Sequence, residues 1–280
     1  MLWVALCIAG AVLAAYLVNR FVNRQTRLVT YTVRSGRLPA AFSGFRLLVA
    51  ADLHDTPLCA RILTFVEETK PDAVCMVGDM VYGGKVETMG EMCRILDSLA
   101  GVCPVYGVSG NHEACGTYDL FAEAFTAHGG VWLDDACVDL CRGEDEIRII
   151  GVKDRPFNEE ETAASAAKLK ENLDPDVYSV TLCHRPEVFP AIRDSGTDLV
   201  LAGHHHGGLI RLPFIGGVFA HRGKLFPDHD RGRYDEGGAT LIVSAGCDDG
   251  SKLPRFNNPP EILLVTLERD GGRDGNGKLQ

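Results

Sequence analysis

Five continuous apolar runs in this chain each lead into a short cluster of metal-binding side chains, and that pairing constrains the fold more than any other feature of the 280 residues. Residues 45–51 (FRLLVAA) lead to Asp52 and His54, and 73–77 (AVCMV) lead to Asp79. Residues 104–108 (PVYGV) lead to Asn111, His112 and Glu113, 178–182 to His184, and 198–202 to His204, His205 and His206. A short apolar run followed by polar residues suits a strand buried on both faces. Further strands are expected at 28–33, 239–246 and 261–267, and helices at 58–70, 87–100, 118–128 and 159–172. Alternating strands and helices imply a sheet with crossover connections, where ligands bind beyond the carboxyl ends of the strands. Five clusters far apart in sequence should therefore meet in one crevice.

The chemistry of the clusters is that of hard and borderline divalent ions. Asp52 and Asp79 offer carboxylate, Asn111 an amide oxygen, and His54, His184, His204 and His206 imidazole, with no thiolate among them. On extended backbone, residues two apart point the same way, so Asp52 and His54 would share a side, as would His204 and His206, with His205 facing away. Glycines ahead of Asp79, Asn111 and His204 permit tight turns. Any one of these histidines alone would read as an ordinary core or surface residue. The five clusters together carry the inference. No G-x-S-x-G elbow or P-loop offers competing chemistry.

The order DLH, GD, GNHE, a lone His and GHHH resembles the calcineurin-like metallophosphoesterases, from about residue 46 to 267. The resemblance implies an α/β fold of αββα sandwich type, two mixed sheets flanked by helices, and two divalent ions, Mn first, with Fe or Zn as alternatives. It gives Asp52, His54 and His206 to one ion, Asn111, His184 and His204 to the other, and Asp79 to both. His112 would face the substrate as the catalytic group, with Glu113 orienting its imidazole. The implied reaction is hydrolysis of a phosphoester without a covalent enzyme intermediate. The phrases RLP at 211–213 and PPEI at 259–262 resemble a membrane-associated bacterial branch that includes UDP-2,3-diacylglucosamine pyrophosphatases. Leu209 and residues 246–248 depart from its pattern. Two alternatives stay open: a catalytically silent metal-binding scaffold on the same fold, and a phosphodiesterase of soluble nucleotides.

Residues 2–18 (LWVALCIAGAVLAAYLV) are uncharged and almost wholly apolar, and Arg20, Arg24 and Arg27 follow. No Lys or Arg precedes the run and no small-residue cleavage site follows it, so a retained membrane helix is expected rather than a signal peptide. The flanking arginines put the catalytic domain in the cytoplasm by the positive-inside rule. Ten cysteines without a C-x-x-C pair agree, reading as free thiols, buried at Cys75, Cys183 and Cys247. With 38 acidic against 28 basic residues and no basic stripe, nucleic acid is not an expected partner. The expected partners are a phosphoester, lipid-linked in the branch resembled, and the membrane. Nothing sets an oligomeric state.

The expected organisation is an anchor over 1–22, a linker and first strand over 23–44, a catalytic domain over 45–269 and a disordered polar tail over 270–280. Residues 212–226 (LPFIGGVFAHRGKLF) have two readings: an interfacial loop that admits acyl chains, or Phe214, Ile215 and Phe219 packed on the sheet. Arg185 and Arg211 are candidate phosphate clamps, and His221 and His229 are expected to face solvent.

Overall fold

Side chains alternate along each buried strand, so one set fills the space between two sheets while the other lies under helices. The computed structural model describes residues 1–54, 61–156, 158–219, 225–248 and 255–271. Chain order begins with helix α1 (Leu2–Asn23) and strands β1 (Arg27–Ser35) and β2 (Phe45–Ala50). Next come α2 (Arg61–Thr69), β3 (Ala73–Val77), α3 (Gly90–Leu99), β4 (Val105–Val108), α4 (Tyr118–Ala127) and β5 (Val131–Trp132). The second half holds β6 (Cys137–Arg142), β7 (Asp145–Val152), α5 (Glu159–Asn172), β8 (Tyr178–Cys183), α6 (Phe189–Ile192) and β9 (Leu199–Ala202). It closes with β10 (Arg211–Leu212), β11 (Gly216–Gly217), β12 (Gly232–Glu236), β13 (Ala239–Val243) and β14 (Glu261–Arg269).

Two six-stranded mixed sheets result, ordered β1-β14-β2-β3-β4-β5 and β12-β13-β9-β8-β7-β6. Strands β2, β3, β4 and β5 run parallel in the first, and β13, β9, β8 and β7 in the second. Leu47, Val49, Cys75 and Val77 face Ile149, Val180, Leu182 and Leu201 in the core between the sheets. Leu48, Val74 and Met76 take the opposite face, under Ile62 and Phe65 of α2, Ile95 of α3 and Phe121 of α4. Ile150, Val200 and Leu241 pack similarly against Leu169 of α5 and Phe189 of α6. This is the four-layer αββα sandwich.

Helix α5 starts where Asn158 caps it, its side-chain oxygen accepting the Glu161 N–H at 2.9 Å. Such caps contribute roughly 1 kcal/mol. Strand β13 ends at Val243, short of the expected 246, because the following residues turn back toward β2, where Cys247 N–H donates to the Ala51 carbonyl. Strand β6 carries no continuous apolar run, since as an edge strand it keeps a solvated face.

Helix α1 is long and apolar enough to cross a membrane. At about 1.5 Å per residue its 22 residues reach roughly 33 Å, the apolar stretch 2–18 covering about 26 Å of that, against a hydrocarbon core of about 30 Å. Only Asn23 is buried against the domain. Strand β1, within the segment expected as linker and first strand, pairs in parallel with β14 from Arg27 to Ser35. Cys75, Cys183 and Cys247 are buried thiols, none of them in a disulfide. Residues 272–280 of the expected tail, like His221, lie outside the described residues.

Candidate metal centre

Each cluster begins within two or three residues of a strand's last paired position, on the shared rim of the two sheets. Beyond the ladders the backbone cross-links itself: Asp52 N–H donates to Gly78 O at 3.1 Å, His54 N–H to Asp79 O at 3.1 Å, and Gly203 N–H to His184 O at 3.0 Å. The expected extended backbone is not found here. Asp52, His54, Asp79, His204 and His206 have φ of 51°, 48°, 53°, 72° and 49°. Each sits in the left-handed region, which costs a non-glycine residue on the order of 1–2 kcal/mol. The chain must turn sharply on leaving the strands, and these cross-links hold the turns.

Two glycines are required by close approach. A Cβ on Gly78, at φ +79°, would lie 2.5 Å from His184 Nδ1, and one on Gly110 would lie 2.3 Å from Asp79 Oδ1.

Three groups of ligand atoms form, each within 4.8 Å: Asp52, His54 and His206; His54, Asp79 and His112; and Asp79, His184 and His204. Asp79 Oδ2 stands 3.2 Å from His184 Nε2, 4.0 Å from His54 Nε2 and 3.9 Å from His112 Nε2. His206 Nε2 is 3.5 Å from Asp52 Oδ1, and His204 Nδ1 is 3.2 Å from His184 Nε2. His184 Nδ1 lies 2.9 Å from the Val77 carbonyl and His54 Nδ1 3.3 Å from that of Val81. A proton on each Nδ1 satisfies those carbonyls and leaves Nε2 as a lone-pair donor. Asp52 Oδ1 and Asn111 Oδ1 are buried acceptors without a hydrogen-bond partner among the described residues. Such atoms cost about 1–3 kcal/mol each unless a cation or donor meets them, so the donor set fits divalent ions.

Electrostatics agree. Burial opposes ionisation of Asp79, but the charge of His184, His54 and His112 outweighs it and holds the carboxyl well below its usual range. Burial likewise opposes protonation of His184, but Asp79, then Asp52 and Asp154, raise it to about 10. Burial pushes Asp52 up to about 7. Without a cation, protons on His184 and Asp52 thus offset the buried Asp79 charge; a bound divalent ion would take their place and free the His184 Nε2 lone pair.

His112 and Glu113 do not pair. Glu113 is fully buried and its carboxylate accepts four backbone N–H groups, those of Asp79, Met80, Val81 and Gly110. It organises the backbone beneath Asp79 instead of orienting the imidazole. His112 Nδ1 accepts the Gly83 N–H at 2.6 Å, which leaves the ring proton on Nε2. Burial lowers the His112 pKa, favouring this neutral form.

Arg185 is not free to clamp phosphate: its Nε and Nη2 engage Asp154 at 2.6 and 3.2 Å, and Nη1 faces His204 Nε2 at 3.2 Å. Arg211 is likewise committed, to Gly207 O and Asp230 Oδ2, both at 2.7 Å. His205 turns away from the cluster, with Nδ1 2.8 Å from His229 O and Nε2 2.9 Å from Glu187. His229 is mostly buried rather than solvent-facing, between Phe189 and Tyr234 and 3.1 Å from Glu236. Sequence reasoning missed Asp154 and Asp248, the latter 3.7 Å from His206 Nδ1. Asp248 had a signal, since it falls in the departure at 246–248. Asp154 had none, because its partner is 31 residues away.

An αββα sandwich with clustered carboxylate, amide and imidazole groups on the sheet rim defines a metal-dependent hydrolase of phosphoesters. Residues 45–208 match the calcineurin-like phosphoesterase family, and the chain belongs to it. Members of this family use two divalent metals. The chain is 27% identical over 251 residues to YkuE, an uncharacterised metallophosphoesterase of Bacillus subtilis, covering 85% of this chain and 84% of that one. It is 24% identical over 303 residues to the UDP-2,3-diacylglucosamine pyrophosphatase LpxG of Chlamydia muridarum, covering 86% and 90%. Among solved structures, TT1561 of Thermus thermophilus shares the fold with a TM-score of 0.50 at 14% identity, covering 73% of this chain and 90% of that one.

Proposed function

We propose that this phosphoesterase hydrolyses a lipid-linked substrate, a pyrophosphate of the UDP-2,3-diacylglucosamine type, at the cytoplasmic face of a membrane. Asp52, His54 and His206 would hold one ion, Asn111, His184 and His204 the other, and Asp79 both, with Mn the first choice. The carrying observation is Asp79, whose single Oδ2 faces His184 at 3.2 Å on one side and His54 at 4.0 Å on the other. When bound, a pair of divalent ions supplies the charge that neutralises phosphoryl oxygens and makes water nucleophilic near neutral pH. The chain's own side chains supply orientation and a hydrogen bond. The Val77 and Val81 carbonyls lock the ring planes of His184 and His54. His112, with its N–H on Nε2 beside Asp79, is poised to donate a hydrogen bond to the leaving oxygen as negative charge develops there. Helix α1 favours a substrate that stays in the bilayer, and Arg20, Arg24 and Arg27 after it favour the cytoplasmic side.

The test uses the full chain in detergent, stripped by chelator and titrated with Mn, Fe or Zn. Turnover is measured on bis-aryl phosphate, mono-aryl phosphate and UDP-2,3-diacylglucosamine. The expected result is metal-dependent turnover with the highest kcat/KM on the UDP-lipid. Preference for a soluble diester or nucleotide would overturn the lipid reading, and metal uptake without turnover of any ester would overturn the catalytic assignment.

A further inference from the structure

Residues 211–217 form a short hairpin in which β10 pairs antiparallel with β11. At its tip Phe214 is wholly exposed and Ile215 is 60% exposed. Apolar side chains left in water side by side mark a contact surface. The root of the hairpin says what covers it. Ile210 bridges to Phe256, and Arg211 N–H donates to the Phe256 carbonyl at 3.0 Å. Phe256, itself 48% exposed, is bracketed by residues that hydrogen-bond to α1. Asn19 Nδ2 and Asn23 Nδ2 both donate to the Arg255 carbonyl, at 2.8 and 2.5 Å, and Asn257 N–H donates to Asn19 Oδ1 at 3.0 Å.

Asn19 is the first residue beyond the apolar run, so it marks where α1 leaves hydrocarbon. The exposed Arg20, Arg24 and Arg27 that follow belong among anionic headgroups. Phe256 and the hairpin root therefore sit at the membrane surface. The two paired residues Arg211 and Leu212 are extended and carry the 213–215 turn about 7 Å from the hairpin root, with the Phe214 side chain beyond it. The headgroup layer on each side of a bilayer is roughly 5–8 Å deep. The tip thus has the reach to cross it.

We propose that this hairpin, with Phe256, is a second membrane contact: Phe214 and Ile215 enter the leaflet that α1 leaves, and the Asn19 and Asn23 clasp fixes the domain's tilt. The occupant is the bilayer surface. The hairpin is also tied to the metal centre. Asp230 Oδ2 accepts from both Arg211 and the Gly217 N–H, Arg211 reaches Gly207 O, and Asn258 Nδ2 donates to His206 O at 2.6 Å. Insertion therefore orients the rim of the metal centre relative to the bilayer. The inference rests on α1 lying in the membrane, as the proposed function has it, and not on which ester is cleaved.

The test reconstitutes the full chain in phosphatidylethanolamine–phosphatidylglycerol vesicles carrying shallow nitroxide lipids. Phe214→Trp is compared with Val102→Trp, an exposed site just before β4 and so at the opposite end of that strand from the metal centre. Emission above that of native Trp3 and Trp132 is read. The Phe214→Trp signal should be blue-shifted and largely lost to the nitroxide, while Val102→Trp is unaffected. Equal, unquenched emission from both would overturn the membrane contact. Adding Asn19→Ala and Asn23→Ala to the Phe214→Trp chain should weaken the quenching, and undiminished quenching would overturn the clasp. Quenching is read without substrate, so its failure is distinct from failure of the lipid-ester reading. A Phe214→Asp/Ile215→Asp chain should lose turnover of the lipid ester and keep that of a soluble aryl phosphate. Equal loss on both would overturn the link between insertion and substrate.

Discussion

Replacing Glu113 with Gln keeps the side chain's size and removes one of its two acceptors. Oε2 of Glu113 accepts the N–H groups of Asp79 and Gly110 at 2.9 and 2.6 Å, and Oε1 those of Met80 and Val81 at 2.7 and 3.1 Å. A Gln amide must turn its NH2 toward one of these pairs. Two hydrogen bonds to a charged acceptor are lost, and two buried donors then face a third. At about 1.5–3 kcal/mol for each such bond, the loss is roughly 3–6 kcal/mol. Burial and the adjacent Asp79 push the Glu113 carboxyl up to about 7, which offsets part of that gain in the metal-free chain. The lower end, about 3 kcal/mol, is therefore expected, equivalent to a fall in Tm on the order of 10 °C. Metal affinity should drop as well, because the Asp79 backbone is one of the four anchored points. Thermal unfolding by circular dichroism and Mn titration by calorimetry measure both. Unchanged Tm and Mn affinity with lost turnover would refute the reasoning and return Glu113 to a role through His112.

Asp79→Asn should abolish tight binding at both metal positions by calorimetry, and one ion bound at full affinity would contradict the shared ligand. His112→Ala should retain both ions while turnover falls by roughly 10²–10³-fold, the usual contribution of a hydrogen-bond donor to transition-state charge; loss of an ion would make His112 a ligand. Gly78→Ala forces a side chain into φ +79° and onto His184 Nδ1, so it should cost at least about 1–2 kcal/mol and weaken Mn binding. Wild-type Mn affinity in that variant would show that His184 is not a ligand. Asp154→Ala strands the Arg185 guanidinium in a site where its side chain is 6% exposed, and should cost about 3–5 kcal/mol in urea unfolding; a change under about 1 kcal/mol would mean that the pair is solvated.

The ligand set could be read from the sequence because parallel strands buried on both faces write continuous apolar runs, and their carboxyl ends are where a sheet of this kind binds. Strands β2, β3, β4, β8 and β9 were visible for the same local reason. The edge strand β6 was not, since a half-solvated edge carries mixed residues. Only the tertiary structure decided what depends on partners distant in the chain. The sheets bring Asp52 to the His204 N–H, 152 residues away, and they support the left-handed turns at Asp52, His54, Asp79, His204 and His206. Glu113 reads in sequence as a neighbour of His112, yet in space it belongs to the backbone beneath Asp79. Arg185 reads as a free cation and is instead paired with Asp154. The residues near Asn19 read as the end of an apolar segment, but contact with Arg255, 236 residues on, makes them a clasp. A sequence displays residue type and local period. Which polar group meets which buried partner is settled only when the chain closes and each must be satisfied.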